Sequence, residues 1–231
     1  MEKKISDGLI VIDKPSGLSS FLAVKIAARA VGAKKAGHMG TLDPLASGVL
    51  VVGVGKGTKM FDHFLKHEKE YYAEYEFGYE TDTLDLEGAV LKTDPNVCVT
   101  EEQIKAVLPK FMGKILQMPP VYSAKKIDGK KACDLVRAGK EVELKPKEVE
   151  VFKLEFVGQI KPNTFGVNIR CSSGFYVRAL GRDIAAALGT VATTICIRRT
   201  YACGFTLASA QTLEEIKAGN ALIHALDKEG K

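Results

Sequence analysis

Tryptophan is absent from this 231-residue chain, and aromatic residues together make up only 7% of it. Long apolar runs are also missing. Aliphatic stretches such as Val49–Val52 fall far short of the ~20 residues that span a bilayer, so no membrane-spanning helix is expected. The opening MEKKISDGLIVID meets acidic residues too soon to serve as a secretory signal. The five cysteines are odd in number and form no C-x-x-C pair, which argues against a disulfide framework or a zinc site and fits reduced thiols in the cytoplasm. Acidic residues are scarce in one region: residues 13–60 hold seven Lys/Arg against two Asp. The balance reverses over 61–102, with three Lys against twelve acids, and turns basic again over 103–231, with 21 Lys/Arg against twelve. A basic surface built from the first and third segments suits a polyanion; lysines that merely solvate helix faces are the plainer reading of the same counts.

An apolar fraction of 46% is ample for a packed core. GLIVID (8–13) reads as a buried strand. Ser19-Ser20 then offer an N-cap to an apolar-periodic helix, FLAVKIAARAV, which Gly32 closes. Val49–Val54 is a second buried strand, and Thr58–His67 a short helix. EYYAEYEFGY (70–79) alternates, with Tyr71, Ala73, Tyr75, Phe77 and Tyr79 on one face and mostly glutamate on the other, as a half-buried antiparallel strand does. Thr100-Glu-Glu-Gln103 and Thr212-x-x-Glu215 are capping boxes that open helices. Residues 149–157 and 164–171 are strand-like across a Lys-Pro-Asn turn, 175–188 is helical with Gly189 after it, and 191–199 is a β-branched strand. Strands with helices between them give an α+β class. Residues 117–147, with adjacent prolines, seven lysines and one arginine, are too polar for core and read as an inserted lid or nucleic-acid contact.

Chemistry has few candidate sites. GVGKG (53–57) lacks the spacing of a phosphate-binding loop or a dinucleotide fingerprint, so these glycines end a strand and turn the chain. His63 and His67 stand at i, i+4 but have no third metal ligand in sight. Asp43 begins an Asp-Pro turn, and alone it needs no other explanation. The special residues around it (Gly37, His38, Gly40, Thr41, Gly48) leave a second reading open, a carboxylate nucleophile held on a glycine-rich loop.

KKAGHMGTLDPLASGVLVVGVGKGTK resembles the signature motif of the TruB family, the bacterial tRNA pseudouridine synthases that act on uridine 55 of the T loop. DKPSGLSS (13–20) is similar to the family's opening motif, and KEYYAEYEFGYETDTLDLEG (69–88) to its next strand and acidic turn. MPPVYSAKKIDGKKACDLVRAGKEVE resembles its RNA-clamping insertion, and CSSGFYVRALGRDIAAALG (171–189) its arginine-bearing motif. The resemblance implies the pseudouridine synthase fold, a mixed and mainly antiparallel sheet flanked by helices, in one catalytic domain over 1–231. It implies an RNA-binding insertion at about 117–147; the family's usual C-terminal RNA-binding PUA domain is not expected in this chain. Cys133 and Leu135 stand in the insertion where the family often has aromatics.

By the same resemblance, Asp43 is the nucleophile, Tyr71 the ring against which the flipped uracil packs, and Arg178 the cation that keeps Asp43 charged. His38 contacts nucleotides at the flipping site, Tyr176 and Ile197 enclose the base, and Lys14 lies beside the pocket. The reaction is an isomerisation and needs no cofactor or metal. The T arm of tRNA is the expected partner, with no membrane and no obligate protein partner, for a monomer. Two other readings remain: the guide-RNA-dependent relative of archaea and eukaryotes, and a non-catalytic tRNA-binding module.

Overall fold

The computed structural model describes residues 7–123, 126–127, 130–132 and 142–226. Residues 124–125, 128–129 and 133–141 of the expected insertion at 117–147 thus lie outside the described residues, Cys133 and Leu135 among them. The chain forms two compact units, residues 1–71 with 198–231, and residues 72–197. It passes from one to the other within strand β4 (Lys69–Phe77) and again within β12 (Ala192–Ala202).

In the first unit, β1 (Gly8–Lys14) pairs antiparallel with β3 (Ser47–Val54), from Gly8↔Val54 to Lys14↔Gly48. On the other side of β3 lie β2 (Ala36–His38), antiparallel, and the end of β12, parallel through Arg198↔Ser47 and Arg199↔Gly48. Both faces of β1 and β3 are covered, which is why their sequences are continuous apolar runs and not alternations. Leu9, Val11, Val49 and Val51 pack on one side with Met39, Phe64, Ala202 and Cys203. Helix α1 (Ser20–Ala30) buries Ser20, Ala23, Val24 and Ala27, the spacing of one helical face, and the Ser19 side chain caps it by accepting from the Leu22 N–H. Gly53 and Gly57 are explained by crowding and not by phosphate: a Cβ on Gly57 would run into the Gly8 carbonyl, and one on Gly53 into Met39 and Gly57. The expected helix over 58–67 is a 3-10 turn at Gly55–Met60 followed by the short α2 (Phe61–Leu65), because Gly55 and Gly57 weaken the first turn.

The second unit holds β4, β11 (Thr164–Cys171), β10 (Lys147–Lys161) and β7 (Gly113–Gln117) as successive neighbours, with β12 on the other side of β4. β10 pairs antiparallel with both β11 and β7. β5 (Tyr79–Thr81) and β6 (Val90–Thr93) form a separate hairpin, and β8 (Lys126–Ile127) pairs with β9 (Lys130–Lys131). Tyr79 therefore does not share the β4 face: Gly78, at φ +110°, ends that strand and starts the hairpin. Helix α3 (Glu101–Val107) starts at the complete Thr100–Gln103 capping box. Helix α4 (Val177–Ala187) presses Gly181 against the Tyr75 ring, where a Cβ would clash, and the Tyr75 hydroxyl donates to the Val177 carbonyl at 2.9 Å. Burial pushes the Tyr75 phenol well above its ordinary value, so it stays a donor. The second capping box opens α5 (Leu213–Glu215) in the first unit. No described helix is long and apolar enough to cross a membrane.

Candidate active site

Asp43 is the first residue of a tight turn, with its carbonyl accepting from the Ala46 N–H at 3.1 Å and Pro44 in the second position. No helix follows; the chain enters β3 at Ser47. Three residues around Asp43, namely Leu42, Pro44 and Leu45, are fixed by the loop after β1 and by the first residue of α1. The Ser20 hydroxyl accepts from the Leu42 N–H (2.9 Å) and donates to the Leu42 carbonyl (2.6 Å). Gly17 N–H donates to the Pro44 carbonyl at 2.8 Å, and Ser16 Oγ to the Leu45 carbonyl at 2.6 Å. The main chain around the half-buried Asp43 is therefore held at 42, 44 and 45.

Lys14 belongs to this support. Its side chain is fully buried, and Nζ donates to the carbonyls of Pro15 (2.8 Å), Leu18 (2.6 Å) and Pro44 (3.3 Å). The sequence placed Lys14 as a basic residue beside a substrate pocket; the structure turns its head inward to the Asp43 turn.

Arg199 was missed by the sequence reading. It is 1% exposed, and its guanidinium reaches the carbonyls of Val49 (Nε, 2.7 Å), Thr41 (Nη1, 3.2 Å) and Gly40 (Nη2, 3.4 Å). It thus ties together the two ends of the loop 40–49 that carries Asp43. The signal was present in CIRRTYACG: a β-branched strand with paired arginines must turn one of them inward. Arg198, the outward one, makes a bidentate pair with Asp13 (2.9 and 3.2 Å).

His38 ends β2, opposite Val52 of β3. Tyr71 is buried on the β4 face that continues through Ala73, Tyr75 and Phe77, as the alternation requires. The first unit thus holds Asp43, His38, Lys14 and Tyr71.

The second unit holds Arg178, Tyr176 and Ile197. Arg178 is buried in the first turn of α4. Its guanidinium donates to the Thr83 (2.6 Å) and Tyr122 (3.0 Å) carbonyls and lies 3.3 Å from Asp85 Oδ2. Asp85, a second residue the sequence reading did not single out, is itself buried and oriented by the Thr83 hydroxyl (2.6 Å) and the Glu87 N–H (3.0 Å). Tyr176 caps α4, with its N–H and carbonyl both bonded to the Gln117 side-chain amide at 2.8 and 3.0 Å. Ile197 is buried in β12. Among the described residues no group of three His, Cys, Asp or Glu could hold a metal ion.

Comparison with known proteins adds the family. Residues 28–177 match the sequence profile described as "TruB family pseudouridylate synthase (N terminal domain)". The chain is 42% identical over 222 residues to the tRNA pseudouridine synthase B of Caldanaerobacter subterraneus subsp. tengcongensis, covering 96% of this chain and 78% of that protein. It is 43% identical over 219 residues to the enzyme of that name from Azoarcus sp. (strain BH72), covering 95% and 72%. Among solved structures, a chain in the crystal structure of a Cbf5–Nop10–Gar1 complex is similar with a TM-score of 0.73 and 26% identity, over 95% of this chain and 61% of that one.

Proposed function

The chain belongs to the TruB family of pseudouridylate synthases, and from that premise we propose that it isomerises the T-loop uridine at position 55 of tRNA to pseudouridine, with Asp43 as nucleophile. The reaction breaks the N1–C1′ glycosidic bond, turns the uracil and forms a C5–C1′ bond. C5 gives up its proton and N1 gains one, so nothing is oxidised or reduced. The base must first leave the helix stack at a cost of a few kcal/mol, and stacking against an aromatic ring returns about 1–3 kcal/mol.

The observation that carries the reading is the anchoring of the Asp43 turn by Ser20, Ser16, Gly17, Lys14 and Arg199, within the segment most like the family signature. A nucleophile held in one geometry needs little reorganisation at the moment of attack. In this scheme Tyr71 packs on the extruded uracil and takes the C5 proton, and His38, Tyr176 and Ile197 contact the target nucleotide. Arg178 is the cation of this scheme, and Asp85 orients it. Lys14 supports the turn. The greater identity to the tRNA enzymes, 42–43% against 26% for the chain of the Cbf5–Nop10–Gar1 complex, favours a tRNA substrate over guide-directed modification. With that choice we also propose a monomer without obligate protein partners. The whole of 1–231 is treated as one catalytic domain, because a cut between the two units would sever both β4 and β12.

The test is pseudouridine formation in an isolated T-arm stem-loop and in full-length tRNA, comparing wild type with Asp43→Asn. Asparagine keeps the main-chain turn, since Ala46 bonds to the backbone carbonyl and not to the carboxylate. Conversion by the wild type and none by the variant is expected. Tight binding without conversion of either RNA would leave an RNA-binding module, with Asp43 only a turn residue.

A further inference from the structure

Helix α1 carries a solvent-facing row that the fold does not use. Phe21, Lys25 and Arg29 recur at every fourth position and are all exposed, while the opposite face buries Ser20, Ala23, Val24 and Ala27. Phe21 is 74% exposed, an unusual position for a large aromatic, and Leu22 beside it is 43% exposed. Four helical residues advance about 6 Å, so the row runs roughly 12 Å from the ring to the guanidinium. Its aromatic end adjoins the catalytic turn, because the preceding Ser20 is hydrogen-bonded through its hydroxyl to both the N–H and the carbonyl of Leu42, the residue before Asp43.

Charge identifies the occupant. From Pro15 to Leu42 the chain holds four Lys/Arg, all exposed, and no acidic residue, and the first turn of α1 has no carboxylate to offset the positive end of its dipole. An aromatic followed by spaced cations on one exposed face, with anions excluded, matches a single nucleic-acid strand: a base has a flat face to stack and its neighbours have phosphates to neutralise. We propose that the Phe21–Lys25–Arg29 face of α1 is a track for the RNA strand flanking the target uridine, Phe21 stacking on an unpaired base and Lys25 and Arg29 contacting successive phosphates. This deepens the tRNA reading and rests on it.

The test uses the full chain and the T-arm stem-loop, with Phe21→Ala, the double variant Lys25→Gln/Arg29→Gln, and Lys105→Gln on α3 as a control. Kd and the single-turnover rate at saturating RNA are measured from 50 to 200 mM salt. All four positions are exposed, so the variants fold, and thermal melts verify it. Phe21→Ala should weaken binding roughly five-fold or more. The double variant should lower the log–log salt slope by about 1.4, two phosphate contacts at about 0.7 each, and Lys105→Gln should do neither. Wild-type Kd and slope in both variants would overturn the track while leaving the tRNA reading intact. So would an altered self-association or protein binding without any change in RNA affinity. A wild type that binds RNA through this face but never forms pseudouridine would keep the track and remove the proposed reaction.

Discussion

Replacing Arg199 with methionine tests whether the loop around Asp43 must be held shut for chemistry. The guanidinium bonds three main-chain carbonyls at 2.7, 3.2 and 3.4 Å; the first is buried, the other two are partly so, and the last is close to the limit of a useful bond. Methionine fills much of the volume but leaves those acceptors without a donor. Each buried, unsatisfied group costs about 1–3 kcal/mol. Set against this is the relief of no longer burying a cation, whose desolvation penalty is itself several kcal/mol. The two together suggest a net loss of about 3 kcal/mol, which for a chain of this size is a fall of roughly 6–12 °C in Tm. A typical domain has 5–15 kcal/mol in reserve, so the variant should still fold. The catalytic effect should be larger than the thermodynamic one, because a displacement near 1 Å at a nucleophile can cost 10²-fold in rate. Assays of kcat and KM on stem-loop RNA, run well below the variant's Tm, should show kcat reduced about 10²-fold with KM little changed. Arg199→Lys should recover charge but not the three-way fork, and so restore stability more than kcat. If Arg199→Met melts early yet keeps wild-type kcat, the arginine supports the sheet alone and the reasoning fails.

Gly48→Ala should be among the most damaging single-methyl changes in the chain. Gly48 sits at φ +105°, and an added Cβ would collide with the Arg199 main chain where β12 joins β3; a loss of roughly 3 kcal/mol or more in urea unfolding is expected, and a loss under 1 kcal/mol would contradict the close approach. Arg178→Ala should also destabilise, by about 3–5 kcal/mol, because Asp85 would be left buried without its cation; the same urea curves measure it, and Asp85→Asn combined with Arg178→Ala should recover part of the loss. His67 gives a pH dependence of known sign. Burial first, then His63 and Lys69, lower its pKa in the fold below 6.5, so the unfolded chain binds the proton more readily. That contribution to stability is present above about pH 6.5 and is lost as pH falls through the folded pKa; Tm should drop less in His67→Gln than in wild type between pH 7 and 5.5, and parallel Tm curves would refute it.

The sequence was most legible where one physical signal acted alone. Ser19, Thr100 and Thr212 announced their helices because a side-chain acceptor on the first free N–H groups is a local device. The alternation from Lys69 to Phe77 read correctly because period two admits one arrangement. It misled at Tyr79, where alternation continues in the sequence but Gly78 takes a backbone that breaks the strand. The 58–67 helix shrank for a related reason: close backbone contact at Gly57 demanded another path. At the site, Asp43 stood out because glycine, histidine and proline crowd it. Arg199 and Asp85 did not: Val49 lies 150 positions from Arg199 and Arg178 lies 93 from Asp85, so the inward turn of one arginine in CIRRTYACG pointed at no visible target.

The two cations under the Asp43 loop share a feature that bears on why the loop is built from such residues. Lys14 and Arg199 are both buried, and in each the donors point at main-chain carbonyls: Pro15, Leu18 and Pro44 for the lysine, Gly40, Thr41 and Val49 for the arginine. A loop that exposes a carboxylate beside a sheet edge has carbonyls with no strand partner, and water would have to satisfy them. Water at that place would compete with RNA and let the turn shift. Long cationic side chains satisfy several carbonyls at once from below, and they bring positive charge under the segment that carries Asp43. Neutral donors of similar reach, such as glutamine, could replace two of the bonds but neither the third nor the charge. The loop is therefore fixed through its backbone, which leaves the residue types at 41 and 43 to be set by chemistry and not by packing.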